Sequence, residues 1–270
     1  MSAPGVFRLL ERRPHPRLAG LVSRLIGYCE LAPGTFSQLE PASLVIPFVA
    51  SFGAPWQIGL GGAAGESRES FVAGLYAGHV TIASDGAAAC VQADLTPLGA
   101  CRLLGGAVRE VAARLVDLGE LFGLDGTYLV ERVARAPGWR ERIDLVEAFL
   151  LARLVRGQPA APEIAFALSA LARSRGTVGI TALAREIGWS RKTLTMRFHH
   201  TLGLPPKPVA RILRFQHAAR QGRAGTPDWA EIALEAGYAD QAHLTREFRA
   251  LAGMPPERWR RSLGADRPPA

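Results

Sequence analysis

The stretch from residue 232 to residue 256 reads Ile232-Ala-Leu-Glu-Ala-Gly-Tyr-Ala-Asp-Gln-Ala-His-Leu-Thr-Arg-Glu-Phe-Arg-Ala-Leu-Ala-Gly-Met-Pro-Pro256. Its pattern is Ala-x3-Gly-aromatic, then Leu-x3-Phe-x4-Gly-x-Pro-Pro, and the same pattern stands earlier, from Ala184 to Pro206. The phenylalanines of the two copies, Phe198 and Phe248, are 50 residues apart, whereas the turn glycines are 49 apart. The second copy therefore has one residue more in its turn.

Each copy has the sequence pattern of a helix-turn-helix, whose second helix can enter a DNA major groove. Gly188 and Gly237 stand where the first helix must end, and glycine tolerates the left-handed conformation of such an end. Leucine and phenylalanine four residues apart, as in Leu244 and Phe248, share one helix face and predict an inward side. The opposite faces carry Arg191, Lys192, Thr195, Met196 and His199 in the first copy, and Gln241, His243, Thr245, Arg246 and Arg249 in the second.

Helix-turn-helix geometry also occurs in domains that bind no DNA. A single copy would therefore favour neither DNA binding nor a purely structural role. Two matched copies favour DNA binding, and so does the distribution of charge along the chain. From Ala165 onward the chain has 17 Lys or Arg against 8 Asp or Glu, whereas the preceding part has 15 against 16. This asymmetry suits contact with phosphates and predicts a salt-dependent affinity.

The second copy resembles the signature of the AraC/XylS-type transcription regulators, and the resemblance covers residues 165 to 262, about a third of the chain. It implies a domain of about seven helices, in which two recognition helices enter successive major grooves on one side of the duplex. A long helix expected from Lys207 to Gln221 would separate them. Grooves on one side of the duplex recur about every 34 Å.

The resemblance also implies roles for single residues. Positions that match base readers of the family are Lys192, Thr195, Met196, Gln241, His243, Thr245 and Arg246. Arg246 is the strongest of these, because a guanidinium can donate two hydrogen bonds to guanine O6 and N7. Met196 departs from the family, which often has arginine there. Phosphate candidates, with solvated surface as the alternative, are Arg191, Arg197, Arg211, Arg214 and Arg249.

The first 160 residues predict an α+β domain. Apolar and β-branched runs between Leu21 and Asp94, separated by glycines and prolines, favour a small β-sheet or barrel, and helical spacing follows from Pro97. The expected helices are Leu98 to Leu104, Val108 to Leu115, Tyr128 to Ala134 and Trp139 to Leu154. The expected domains are an effector-sensing and dimerisation domain at 1–160 and a DNA-binding domain at 164–262, with a linker at 157–163 and a disordered tail at 263–270. The order of strands then helices is similar to a cupin-like barrel only in architecture.

A small-molecule pocket in this first domain is one hypothesis, and an ordinary barrel core is the other. Aromatic residues that would line a pocket are Phe48, Phe52, Trp56, Phe71 and Tyr76. Catalytic motifs, a metal triad and a phosphate loop are not recognisable, so no enzyme, cofactor or metal is expected. The three scattered cysteines fit reduced thiols and do not supply the site of an alkyl-transfer repair protein.

The partners expected from the resemblance are double-stranded DNA, RNA polymerase, a small-molecule effector and a second copy of the chain. A constitutive DNA-binding protein, whose first domain only mediates protein contacts, is the alternative. The chain has no run of about 18 apolar residues, which a membrane-spanning helix would need. No membrane partner is therefore expected. The expected location is the bacterial cytoplasm, at the nucleoid.

Overall fold

The computed structural model describes residues 6–31, 34–223 and 227–263. The first part of the chain folds into two open antiparallel sheets that face each other, followed by helices, and the last part is helical. This confirms the predicted α+β domain followed by an all-α domain. The sheets are open at their edges, so the barrel that the strand pattern also allowed is not closed.

The larger sheet has six strands and provides the platform of the first domain. In sheet order they are β1 (Val6–Arg12), β2 (Val22–Leu31), β9 (Ala89–Leu95), β4 (Ile46–Ser51), β7 (Phe71–Ala73) and β10 (Leu115–Asp117). The smaller sheet has four, in the order β3 (Phe36–Glu40), β8 (Val80–Ser84), β5 (Trp56–Leu60) and β6 (Glu66–Arg68).

Side chains alternate across the larger sheet because successive residues of a strand point to opposite faces. Phe48 on β4 points to the helical side, where its ring lies 5.7 Å from that of Phe149 and 6.1 Å from that of Phe122. Its neighbour Val49 points to the space between the sheets. One face of the sheet therefore makes the main core, and the other face is free to line a cavity.

Five helices follow the strands: α1 (Pro97–Leu104), α2 (Val108–Val111), α3 (Leu118–Phe122), α4 (Leu124–Arg135) and α5 (Trp139–Arg156). Three of them confirm predicted helices, but the expected helix from Val108 to Leu115 is wrong in its second half. It ends at Val111, Ala113 takes a φ of +52°, and Leu115 begins a strand that pairs with β7. Because apolar residues there suit a short buried strand as well as a helix, periodicity alone did not separate the two.

Seven helices make the C-terminal part within the described residues: α6 (Pro162–Arg173), α7 (Ile180–Glu186), α8 (Arg191–Leu202), α9 (Pro206–Gln221), α10 (Trp229–Glu235), α11 (Gln241–Ala252) and α12 (Pro256–Ser262). The number agrees with the resemblance. Helices α7 and α8 form the first helix-turn-helix, α10 and α11 form the second, and α9 connects them, as predicted for Lys207 to Gln221. Within the described ranges no helix is long and apolar enough to cross a bilayer.

The predicted linker begins where α5 ends, and its first residue is packed against the first domain. A Cβ on Gly157 would lie 1.7 Å from the carbonyl oxygen of Arg102 on α1, so only glycine fits this approach. Residues 264–270 of the predicted tail lie outside the described residues.

Candidate nucleic-acid interface

The two recognition helices, α8 and α11, begin and end in the same way. Ser190 accepts a hydrogen bond from the Thr193 amide at 3.0 Å, and Asp240 accepts one from the His243 amide at 2.6 Å, so each helix has a side-chain N-cap. Each ends at a glycine with positive φ, 83° at Gly203 and 73° at Gly253. The repeated sequence thus builds two helices of equal length with defined ends.

The inward faces of both helices are buried, as the spacing of leucine and phenylalanine predicted. Leu194 and Phe198 on α8, and Leu244 and Phe248 on α11, are fully buried. Phe248 lies in an aromatic cluster, with ring centroids 4.9 Å from Phe215 on α9 and 5.5 Å from each of two tryptophans, Trp229 and Trp259. We call Phe215, Trp229, Phe248 and Trp259 the backing cluster. It fixes the rotation of α11 about its axis.

The outward face of α8 carries the residues that the resemblance assigned to it. Arg191, Lys192 and Met196 are exposed, Met196 to 61%, and Thr195 is half-buried. Arg197 is exposed as well, and its guanidinium carbon lies 4.8 Å from the Trp189 ring, above the turn of this unit. Four of these five side chains are therefore exposed, and Arg197 also packs over an aromatic ring of its own unit.

The outward face of α11 is more polar. Gln241, Arg246 and Arg249 are exposed. Thr245 is half-buried and donates its hydroxyl to the Gln241 carbonyl at 2.9 Å. His243 is half-buried, with its ring edge-on to Tyr238 at 5.2 Å. Within the described part of the chain Arg246 and Arg249 form no ion pair.

Two phosphate candidates on α9 have partners inside the domain. Arg211 forms an ion pair with Glu247 on α11 at 2.9 Å. The guanidinium carbon of Arg214 lies 5.6 Å from the Tyr238 ring, and its Nη1 donates to the Gly176 carbonyl at 3.4 Å. These contacts give both arginines a role in holding the helices together, which the sequence pattern does not reveal.

The first domain contacts both recognition helices at their C-terminal ends. Helix α8 packs against α1 and α2, with Arg109 Nη1 3.5 Å from His200 Nε2. The last carbonyls of a helix lack partners within the helix. On α11 the Ala42 amide donates to the Leu251 carbonyl at 2.7 Å, and His79 Nδ1 lies 3.4 Å from the Ala250 oxygen.

A cavity of about 720 Å³ lies between the two sheets. Of the five predicted pocket residues, Trp56, Phe71 and Tyr76 line it. Phe48 and Phe52 do not: Phe48 points to the helices, and Phe52 packs on Trp139 with ring centroids 5.3 Å apart. The five aromatic residues therefore lie on different sides of the sheets and do not form a single site.

The cavity also has polar walls that the sequence did not indicate. Asp94 on β9, almost fully buried, pairs with Arg24 on β2 at 2.7 Å. Glu40 on β3 lines the same space; its side chain is exposed, but partial desolvation by the surrounding protein raises its pKa, and Arg24 opposes this shift. Burial also raises the pKa of the Cys90 thiol to about 12, so this cysteine stays neutral at physiological pH. On the C-terminal side the wall is formed by Phe215, Gln216, Ala219 and Arg220 of α9, by Arg223 just after α9, and by Trp259 of α12.

Two capped helices with basic outward faces, each in a helix-turn-helix and joined by one connecting helix, define a double helix-turn-helix domain. A helix-turn-helix domain family model matches residues 183–262. A protein named as an AraC-like transcription regulator from Streptomyces lividans is 37% identical over 101 residues, which are 37% of this chain and 33% of that protein. A protein of the same name from Streptomyces antibioticus is 34% identical over 101 residues, with the same coverage. The C-terminal domain is therefore similar to that of AraC-like transcription regulators.

The match spans about a third of the length of these curated relatives. Among solved structures, ToxT from Vibrio cholerae is similar over 95% of this chain and 98% of its own, with 10% identity and a TM-score of 0.47. The C-terminal domain of AraT, a response regulator from Geobacillus stearothermophilus, is similar over 38% of this chain and 87% of its own, with 21% identity and a TM-score of 0.36.

Proposed function

We propose that the chain is a sequence-specific DNA-binding transcription regulator that places α8 and α11 in successive major grooves. The observation that carries the proposal is the pair of matched, N-capped helices, each with a buried inward face and an accessible basic outward face. The positive balance of the C-terminal third supplies attraction to phosphates. Base selection then depends on the side chains near the start of each helix, as in other helix-turn-helix proteins.

The proposed base readers are Lys192, Thr195 and Met196 on α8 and Gln241, His243, Thr245 and Arg246 on α11. Arg246 is accessible and lacks an ion-pair partner among the described residues, so its guanidinium is available for a guanine. Arg191, Arg197 and Arg249 flank these positions and are the proposed phosphate contacts. RNA polymerase and a second copy of the chain are further proposed partners.

Selection of binding sites from random DNA tests this function. The full chain is then compared on the selected duplex and on a scrambled duplex at one fixed salt concentration. Specific proteins bind their sites about 10³-fold or more tightly than other DNA. We expect a preference of this order, and equal affinities would reject sequence-specific regulation.

We further propose that a small molecule in the inter-sheet cavity modulates DNA binding. The volume lies within the range of about 300–1,000 Å³ typical of ligand pockets, and apolar walls with a few polar groups are also typical of them. A ligand that binds only the folded chain raises its stability, by about 2.7 kcal/mol at a hundredfold excess over Kd.

A thermal-shift screen of the full chain against metabolites tests the effector. We expect a compound that raises the melting temperature of the wild type and of Ser37→Trp, a variant on the outer face of β3, but not of Gln38→Trp, which fills the cavity from the same strand. If none does so and the ligand-free protein binds its site fully, the first domain serves protein contacts only.

A further inference from the structure

The cavity runs between the two sheets and meets the DNA-binding domain at one end. Away from that end the rings of Tyr28 and Trp56, from opposite sheets, are 5.6 Å apart. The buried Glu30 joins the sheets there too, because it accepts hydrogen bonds from Tyr28 at 2.5 Å and from Ser84 on β8. At the end near the DNA-binding domain the wall is made by α9 and α12.

Three contacts join this wall to the second recognition helix. Phe215 and Trp259 line the cavity, and both rings pack on Phe248 of α11. Ala42 also lines the cavity, and its amide donates to the Leu251 carbonyl in the last turn of α11. A molecule in the cavity would touch side chains that in turn touch α11.

The first recognition helix is connected less directly. Helix α8 packs against α9, but the ring contacts that Phe215 and Trp259 make with a recognition helix go to Phe248 of α11. Helix α8 meets the first domain through α1 and α2, and neither of these helices contributes a residue to the described cavity wall. Gly203 at the end of α8 lies against Ala112, which is also absent from that wall. The cavity wall is thus in ring contact with α11, whereas it reaches α8 through the body of α9.

We propose that occupancy of the cavity displaces α11 more than α8, so that a ligand chiefly alters the DNA segment read by α11. This regulation rests on the proposed function. The physical reason is close packing: Phe248 is fully buried, so displacement of Phe215 or Trp259 has no void to absorb it and is passed to the helix. A ligand shifts the equilibrium as far as it binds one arrangement better than the other.

Fluorine NMR of the full chain labelled with 5-fluorotryptophan tests the connection without DNA and without knowledge of the ligand. The native tryptophans report on separate places: Trp56 on the cavity, Trp189 on the first unit, Trp229 and Trp259 on the backing cluster, and Trp139 on the outer helices. Gln38→Trp fills the cavity. Ser37→Trp, the adjacent residue of the same strand, points away from it and is the control.

With Gln38→Trp we expect the resonances of Trp56, Trp229 and Trp259 to shift while that of Trp189 stays, and with Ser37→Trp all four to stay. The proposal is overturned if Trp189 shifts as much as Trp259, or if Trp56 shifts and the backing cluster does not. Should Gln38→Trp fail to fold, Ile58→Trp and its neighbour Gln57→Trp give the same comparison on β5.

Footprinting of the same variants on the selected DNA completes the test. Gln38→Trp should lose protection on the α11 segment and keep it on the α8 segment. Equal loss on both segments, or unchanged protection on both, would overturn the proposal. If the wild type binds no DNA selectively, the proposed function is rejected instead. The fluorine NMR result, obtained without DNA, still shows whether the cavity is coupled to α11.

Discussion

Arg211 on α9 and Glu247 on α11 form two parallel hydrogen bonds, from Nε to Oε2 at 2.9 Å and from Nη2 to Oε1 at 3.0 Å. Glu247 follows Arg246, the strongest candidate for base readout, and its side chain is only 13% exposed. The hydrogen bonds that Arg211 donates to Glu247 raise the pKa of the guanidinium, so Arg211 stays charged. One side of α11 is thereby tied to the connecting helix, while the preceding residue, Arg246, is exposed on the outward face.

Loss of this pair should destabilise the domain. We expect Arg211→Met to lower the free energy of unfolding by about 1.5–3 kcal/mol, because a partly buried hydrogen bond to a charged group is lost. Denaturant unfolding measures this change, and a double-mutant cycle with Glu247→Gln isolates the coupling. Arg135→Met is the control, since Arg135 makes an exposed ion pair at 3.6 Å with Glu131, for which about 0.5 kcal/mol is expected. Equal costs for the two variants would refute the role of the pair.

Arg246 and Arg249 should differ in the kind of DNA contact they make. Arg246→Ala should cost about 1–3 kcal/mol on the preferred site and relax the preference at one base position. Arg249→Ala should weaken binding by a similar factor on every sequence. Affinities on a set of single-base variants of the selected site measure both effects. A uniform loss with Arg246→Ala would reassign this arginine to the phosphates.

Binding should depend steeply on salt. Each phosphate neutralised by Lys or Arg contributes a slope of about −0.9 to a plot of log K against log salt. Arg191→Ala and Arg249→Ala should each reduce the slope by about one unit. Titrations at several salt concentrations give the slopes, and a slope near zero for the wild type would exclude the proposed electrostatic contribution.

His217 on α9 gives stability a pH dependence. Burial, followed by the charges of Arg175 and Arg220, lowers its pKa in the folded state, and its Nε2 lies 3.0 Å from Arg175 Nη1. The unfolded chain therefore takes up the proton first, so this contribution is complete above about pH 6.5, the ordinary value for histidine, and is lost as the pH falls below it. Thermal melts between about pH 5 and about pH 8 should show a smaller pH dependence for His217→Gln than for the wild type. An unchanged profile would show that His217 does not cause it.

The sequence predicted most of the C-terminal domain because its signals are local and repeated. Turn glycines, N-caps and the spacing of Leu244 and Phe248 determine where helices end and which side faces inward, and no distant residue is needed. Arg211 could not be distinguished from a phosphate contact, since Glu247 is 36 residues away in the sequence.

The first domain was harder to predict because its site depends on which face of a sheet a residue occupies. Phe48 and Val49 are neighbours, yet one lies in the core and the other in the cavity. The wall formed by Phe215 and Trp259 depends on how two domains meet, and no pattern within either domain carries that information. The hydrogen bond from the Ala42 amide to the Leu251 carbonyl is made by the backbone, so no side chain in the sequence indicates it.

Chemical footprinting of the full chain on its selected DNA tests the arrangement of the two recognition helices. Two protected major-groove segments should appear on one side of the duplex, about 34 Å apart, or one helical turn. Lys192→Ala should weaken protection of one segment and Arg246→Ala that of the other. Protection of a single segment, weakened by Arg246→Ala and unaffected by Lys192→Ala, would contradict the arrangement and leave the first copy with a structural role only.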